Sequence, residues 1–413
     1  MRKIGILLVM QIICINLIFG QHSEIIAPAK INGKWGIITK TGMWKVQPLI
    51  IVDEIRSFDD NGIAQFKNGG ETGLINKFGK IILKAEFEDV SISSDGLYRV
   101  NQNGKYGFVD KTGKLIIPIE YESAGSFVGG LCPIRHCLSC DWGYINKLNE
   151  PVVSTKYQEA NDFSDGLALV RRDDLFGYID EAGKTIIPCR YFYAKSFQDS
   201  VARVSIEHNP KWGFIDTKGA VVIPLKYDLV SYYKGGAVNV TEKGKYGIIN
   251  KANEILLPTE YSNILDFESN GWIIVVKDEK VFLFNFSEKI LFPSHQYTSA
   301  MTLSSRYIRV EKDKKYGVAD KNNNLVIPLI YDDIETAINS DIVRVKQDDK
   351  LGFVSMEGKI IVPFDYDWNF TSFSFEEGLT PISRYGKVGF VDKTGKIVIP
   401  LKYEEVAPFH KVK

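Results

Sequence analysis

At 413 residues, with 45% hydrophobic, 25% charged and 12% aromatic residues, the chain has the composition of a folded protein. Its 51 basic and 51 acidic residues cancel, which excludes the electrostatic footprint of a nucleic-acid binder and any strong pull toward anionic membrane. The 24 Phe and 20 Tyr are large rings that favour sheet over helix.

Residues 1–20 belong to a separate physical class. Arg2 and Lys3 precede an apolar run from Ile4 to Phe19, interrupted by Gly5, Gln11 and Asn16, and Gly20 offers a small residue before Gln21. A basic start, an apolar stretch and a small residue at the cut predict a secretory signal peptide, leaving 21–413 as the mature, exported chain. The run is short for a membrane span, and no later stretch is apolar enough to be one, so no transmembrane span is expected in the mature chain.

From there the sequence repeats. Aligned on an aromatic residue followed by glycine, Trp35-Gly36, Tyr106-Gly107, Trp142-Gly143, Phe176-Gly177, Trp212-Gly213, Tyr246-Gly247 and Tyr316-Gly317 fall into register. Gly73, Gly352 and Gly389 join them with Thr72, Leu351 and Val388 before the glycine, and a degenerate unit near 271–300 carries Phe282 in its place. Successive spacings lie between 34 and 37 residues, giving eleven units. Three residues after the glycine stands Asp or Asn (Asp110, Asn146, Asp216), and three further on Gly or Asn (Gly113, Asn149, Gly219). A proline follows eleven residues after the first glycine (Pro118, Pro188, Pro224), then an aromatic ring three later (Tyr121, Tyr191, Tyr227).

One unit reads as a meander. Gly96 to Val100 is a first strand, Asn103-Gly104 a tight hairpin turn, and Lys105 to Asp110 the second strand. Asp110 to Gly113 turns again, with the carboxylate accepting backbone N–H groups and glycine supplying a positive φ. Leu115 to Ile117 is a third strand ended by Pro118, with room for a short fourth strand before the next unit. No segment shows a helical period. The two residues after each glycine, such as Phe108 and Val109, point to opposite faces yet are both apolar. A half-wet sheet would alternate apolar with polar, so every sheet is expected to be sandwiched between its neighbours.

The unit Lys105-Tyr106-Gly107-Phe108-Val109-Asp110-Lys111-Thr112-Gly113 resembles the bacterial WG (KWG) repeat family, and the resemblance covers essentially all of 21–413. It implies a repeat fold of variable copy number and brings no catalytic residues. The tryptophan survives only as Trp35, Trp142 and Trp212. The expected fold is all-β: a tandem array of eleven antiparallel meanders stacked as an open superhelix, because closed propellers typically hold about 4–8 blades. The alternative is a β-propeller-like ring or rings, for instance a seven-unit ring broken at the degenerate unit with four units left over.

Four cysteines remain after export: Cys132, Cys137, Cys140 and Cys189. An oxidising compartment favours structural disulfides. Cys137 and Cys140 lie in a lengthened hairpin tip and are the expected bridge, with Cys132–Cys189 a looser pairing. A zinc site with His136 and a thioredoxin-like motif are the lesser readings. The Asp/Asn column serves turns rather than calcium, since each turn brings only one such ligand. The rings before glycine are expected in the core, whereas Trp44, Tyr193, Tyr232, Tyr233, Trp272 and Trp368 lie outside the columns and are candidates for an exposed face. The acid pairs Asp59-Asp60, Asp173-Asp174 and Asp348-Asp349 fall at hairpin tips. No nucleophile elbow, phosphate loop or dinucleotide fingerprint is present, so neither catalysis nor a cofactor nor a metal is expected. The expected function is an exported, non-catalytic binding or scaffold protein of the cell envelope, secreted or periplasmic, whose extended surface recognises a protein partner. The alternative is a carbohydrate-binding protein with an aromatic platform.

Overall fold

In the computed structural model, residues 23–412 are described except 93–94, 207, 209, 232–235, 268–271, 279, 286–287, 289, 293–296, 305, 337–340 and 369–374. The expected signal peptide lies outside them. The described residues form strands and turns with no helix, and hence no helix long and apolar enough to cross a membrane.

Eleven small antiparallel sheets account for the strands. In the third of them, a short lead strand Asp89–Ile92 pairs with a hairpin strand Leu97–Gln102, which pairs with the glycine-bearing strand Lys105–Asp110, which pairs with a closing strand Leu115–Tyr121. Each sheet is one blade, numbered here in chain order, and the lead strand is the short fourth strand for which the sequence left room. Pro118 does not end its strand. It sits inside the closing strand, where pairing jumps from Phe108↔Ile117 to Tyr106↔Tyr121. Three residues of the closing strand thus bulge opposite Gly107, and a bulge is where a sheet accommodates proline.

The bulge explains the glycine. A Cβ on Gly107 would lie 2.7 Å from the Ile117 carbonyl oxygen and 2.8 Å from Ile119 Cγ1. On Gly213 and Gly389 it would lie 2.4 and 2.5 Å from the matching carbonyls of Ile223 and Ile399. In blade 8 Phe282 replaces the glycine, and residues 293–296 of its closing segment lie outside the described residues.

Both faces of each sheet are buried, as the apolar pairs require. Phe108 joins a cluster with Phe127 and Ile134 of blade 4, while Val109 joins one with Leu74 and Phe87 of blade 2. Eleven such clusters run around the molecule, one between each pair of successive blades. The last joins Phe390, Ile399, Tyr403 and Phe409 of the C-terminal segment to Ala27, Ala29 and Ile38 of blade 1. Strand pairing crosses the same seam: Lys30 pairs with Glu405, and Glu24 with Val412. The molecule is therefore a closed eleven-bladed propeller. The open superhelical stack is overturned, because its two terminal faces are packed against each other. Nor does the ring break at the degenerate unit, where cores continue on both sides of blade 8.

Polar contacts tie several neighbouring blades at equivalent places. Asp332, between blades 9 and 10, accepts Lys315 Nζ of blade 9 at 2.6 Å and the Asp348 N–H of the blade 10 hairpin at 2.8 Å. Asp228 joins Lys211 to the Lys243 N–H at the junction of blades 6 and 7. At the seam, Glu404 accepts the Asn32 and Gly33 N–H groups at 3.1 and 3.0 Å, with Lys387 Nζ at 3.8 Å. The closing tyrosines add a second tie, Tyr121 Oη donating to Asn149 Oδ1 at 2.6 Å and Tyr403 Oη to the Gly42 carbonyl at 3.4 Å.

Two expectations follow. Gly107→Ala should cost about 1–3 kcal/mol of stability, since the new methyl meets backbone, as measured by denaturant unfolding; a neutral result would disprove the bulge argument. Lys211 and Lys315 hold the Asp228 and Asp332 carboxyls below their ordinary range, and the Gly33 N–H does the same for Glu404. With folded values depressed, their stabilisation is complete above the unfolded value near pH ~4 and is lost as pH falls through the folded ones. Calorimetry should show the melting temperature falling below about pH 4. The triple variant Asp228→Asn, Asp332→Asn, Glu404→Gln should melt lower at neutral pH with a shallower acid limb.

Candidate functional site

The repeated columns are absorbed by structure. Asp110 Oδ1 accepts the Thr112 N–H at 2.8 Å, the Thr112 hydroxyl at 2.6 Å and the Lys114 N–H at 3.1 Å, all inside its own turn. Among the described residues no group of three or more His, Cys, Asp or Glu side chains is placed to hold a metal. The acid pairs at hairpin tips are turn residues: Asp173, Asp174, Asp348 and Asp349 all adopt positive φ. Asp59 caps a turn through the Asn61 and Ile63 N–H groups, each at 2.9 Å, and accepts Tyr98 Oη at 2.6 Å.

Cys137 and Cys140 are joined in a disulfide at the hairpin tip of blade 4, so their sulfurs are not available to a zinc ion. Cys132 and Cys189 are free, and the looser pairing is not formed. Cys132 lies in the core between blades 3 and 4, Cys189 against the core between blades 4 and 5, and the sheet of blade 4 separates them. Burial pushes the Cys132 thiol well above its ordinary range, which makes it an inert core residue.

The ring column divides. Trp35 is buried, whereas Trp142 and Trp212 are half-buried beneath guanidinium groups, Arg135 standing 5.1 Å and Arg203 5.7 Å from the ring centroids. Of the off-column aromatics, Trp44 is half-buried edge-on against Tyr403, and Trp368 lies under Arg344 at 4.4 Å. Tyr193 is exposed beside Trp212. Tyr232, Tyr233 and the Trp272 side chain lie outside the described residues. The three described off-column rings stand in blade 1, in blade 6 and at the end of blade 10, and none lines either cavity described next.

Two cavities fall instead at equivalent gaps between blades, each walled by a tryptophan of the ring column. One, of about 670 Å³, lies between blades 1 and 2, lined by Trp35, Ile55, Gln65, Glu405 and other residues. Arg56 also lines it and donates to Gln65 Oε1 at 2.8 Å, and Trp35 Nε1 is buried without a hydrogen-bond partner. The other, of about 460 Å³, lies between blades 4 and 5, lined by Pro133, Trp142, Ala160, Asn161, Asp162 and Ser164, with Ser196 of blade 6 at its edge. Asp162 Oδ1 accepts the Ser126 N–H at 2.9 Å. Burial lifts its carboxyl above the ordinary range against the opposing pull of that N–H and of Arg99. Asp162 was missed from the sequence because it stands at a position occupied by Ser126 in blade 4 and Ser196 in blade 6, with nothing in the repeat to mark it.

The family model described as WG containing repeat matches residues 35–71, 73–106, 106–136, 142–176, 176–207, 212–246, 246–280, 316–350, 352–387 and 389–411. The chain belongs to that family. The longest internal stretch it leaves unmatched, 281–315, includes Phe282, which stands where the glycine is lacking. No curated protein matches the chain. Among solved structures, a eukaryotic initiation factor is similar at 10% identity, covering 82% of this chain and 95% of that one with a TM-score of 0.43. The AztD protein of Citrobacter koseri is similar at 10% identity, over 95% of this chain and 99% of that one, with a TM-score of 0.28. The dihydro-heme d1 dehydrogenase NirN, solved in complex with DHE, is similar at 10% identity over 74% and 73% of the two chains, with a TM-score of 0.31. Likenesses this distant carry no argument about what this chain does.

The disulfide closes too short a loop to hold the ring together. Reduction should lower stability by about 2 kcal/mol at most, from the loop-closure entropy of so short a loop, and should leave the circular dichroism of the folded ring unchanged. Unfolding on reduction would assign Cys137 and Cys140 a larger role.

Proposed function

We propose that this WG-repeat propeller is an exported, non-catalytic binding protein that recognises a protein partner across a repeated surface. The observation that carries the reading is a periodic set of exposed aliphatic side chains. Ile81, Leu115, Val221, Ile255, Leu325, Ile360 and Ile397 each stand at the start of a closing strand, eight residues after the glycine, and are between 45% and 69% exposed. Large apolar side chains held at solvent in a regular array favour contact with another macromolecule. The ring supports this by fixing their spacing through its eleven packed interfaces.

Export rests on the basic-apolar-small pattern of residues 1–20. It is consistent with a disulfide at an exposed hairpin tip, and it directs the search for a partner to the cell envelope or exterior. A second reading, glycan binding, has one observation in its favour: Trp142 shares a cavity with Asp162 and Asn161, a ring and polar groups of the kind that hold a sugar.

Immobilised residues 21–413, disulfide intact, should capture one or a few envelope proteins from detergent-solubilised source cells. Replacing Val221, Ile255, Leu325 and Ile360 together by Ser should abolish that capture without altering the thermal midpoint. Recovery of glycan with no stoichiometric protein would overturn the protein-binding reading in favour of the second one.

A further inference from the structure

One position of the hairpin strand shows how the gap to the next blade is filled in four of the eleven blades. It lies opposite the residue that follows the repeat glycine. In blades 3, 6 and 9 it is Arg99, Arg203 and Arg309, paired with Phe108, Phe214 and Val318. Each guanidinium extends past the ring before the glycine, at 5.4 Å from Tyr106, 5.7 Å from Trp212 and 4.7 Å from Tyr316. Each then donates Nη1–H to a lead-strand carbonyl of the next blade: Ala124 at 2.8 Å, Val230 at 2.9 Å and Ile334 at 2.8 Å. In blade 2, Gln65 makes the same bond to the Val90 carbonyl at 2.6 Å. The gap is thus a slot built for a planar donor: an aromatic wall, a backbone carbonyl and the edge of the following blade.

Blade 4 has Pro133 at this position, paired with Tyr144. Proline can neither fill the slot nor donate to its far wall, and there the cavity of about 460 Å³ opens. Its walls repeat the arginine slots. Trp142 is the ring, and Ala160, which stands in its lead strand where Ala124 stands in blade 4, borders the cavity. One group is additional, the carboxylate of Asp162. Its Oδ1 is held by the Ser126 N–H, and its Oδ2 has no partner among the described residues. Arg135 lies over Trp142 but is not part of the cavity wall, being tethered to Ser123 Oγ at 3.0 Å and the Leu138 carbonyl at 3.1 Å. Proline also stands at this position in two other blades: Pro28 opposite Ile37 in blade 1, whose cavity toward blade 2 is lined by Arg56, and Pro381 opposite Phe390 in blade 11.

We infer that the slot between blades 4 and 5 is a receptor site for an external guanidinium, the arginine side chain of a partner polypeptide. It would lie on Trp142, donate to the Ala160 carbonyl and pair with Asp162. The ring offers the cation–π contact that arginine makes in the intact slots, and a carboxylate recognises a guanidinium through its fixed fork of donors. That the arginine comes from a protein rests on the function proposed above; that the slot binds guanidinium does not.

The test uses the whole chain labelled with nitrogen-15, observing the tryptophan indole N–H signals and assigning that of Trp142 with Trp142→Phe. N-acetyl-arginine methylamide should shift the Trp142 signal saturably, with a dissociation constant on the order of millimolar, as befits a single side chain. The uncharged citrulline counterpart should bind at least about tenfold more weakly, because it loses the charged pair with Asp162. Pro133→Arg should plug the slot from within and abolish the shift at an unchanged thermal midpoint, and Asp162→Asn should weaken it at least about fivefold. No saturable shift, equal binding of citrulline, or full binding in folded Pro133→Arg would each overturn the inference. A methyl glycoside that saturates the site where arginine does not would assign it to glycan. The comparison of arginine with citrulline needs no variant and stands even if both substitutions unfold the chain. Capture of a protein partner that survives Pro133→Arg would sink the slot while leaving the proposed function in place.

Discussion

Every sheet in this protein is apolar on both faces, and that constraint governs the rest. Phe108 and Val109 are adjacent in sequence and each is at most 1% exposed, one toward blade 4 and the other toward blade 2. A sheet of this kind cannot end an array without exposing a core. An open stack would leave two such faces in water, at roughly 25 cal/mol per Å² of apolar surface, and repeat arrays that stay open cover their ends with atypical polar units. Here neither end is polar. Closing the ring removes both raw faces at once, and the seam between Tyr403, Phe409, Ala27 and Ile38 is packed like any other interface.

Within that constraint the glycine strand is the pivot. The closing strand bulges across it, the bulge accommodates proline, and the strand then resumes to deliver the tyrosine whose hydroxyl reaches the next blade. Glycine, proline and tyrosine are thus three consequences of one crossing of strands. That is why they vary so little while the ring before the glycine ranges from Trp35 to Thr72.

Much of this was legible in the sequence, because columns that serve a single geometry recur at a fixed spacing. The number of units, the two-faced burial and the turn role of Asp110 could all be read from residue type and phase. The lead strands were legible only as room for a short fourth strand, since several are two residues long, as at Ser123–Ala124, and too short to show alternation. The seam was hidden for a different reason. Lys30 pairs with Glu405 across nearly the whole chain, and nothing local in either segment distinguishes a ring from a stack. Propellers of about 4–8 blades are the usual case, but that range describes common rings and sets no limit. Proline misled because it ends an ordered ladder in most contexts, whereas here the ladder is already interrupted. The clamps built on Asp228, Asp332 and Glu404 escaped notice because the partner of each is a backbone N–H in the following unit.

In a protein made of near-copies, what is shared and what differs carry different information. A residue common to all units is explained by the interface that all units make, so a column of glycines or tyrosines says how the ring is held and nothing about what it binds. Specificity must come from positions where one unit departs from the others without damaging the interface. Arg99, Arg203 and Arg309 fill their slots and complete the packing between blades. Pro133 leaves its slot open although the cores on both sides of blade 4 remain intact. Asp162 then places a carboxylate where neighbouring units have serine. A vacancy alone would be a packing defect, and a buried carboxylate alone would cost desolvation. Together, in one gap and beside Trp142, each accounts for the other, because the charge that is costly in an empty cavity is the charge that a guanidinium in that cavity would need.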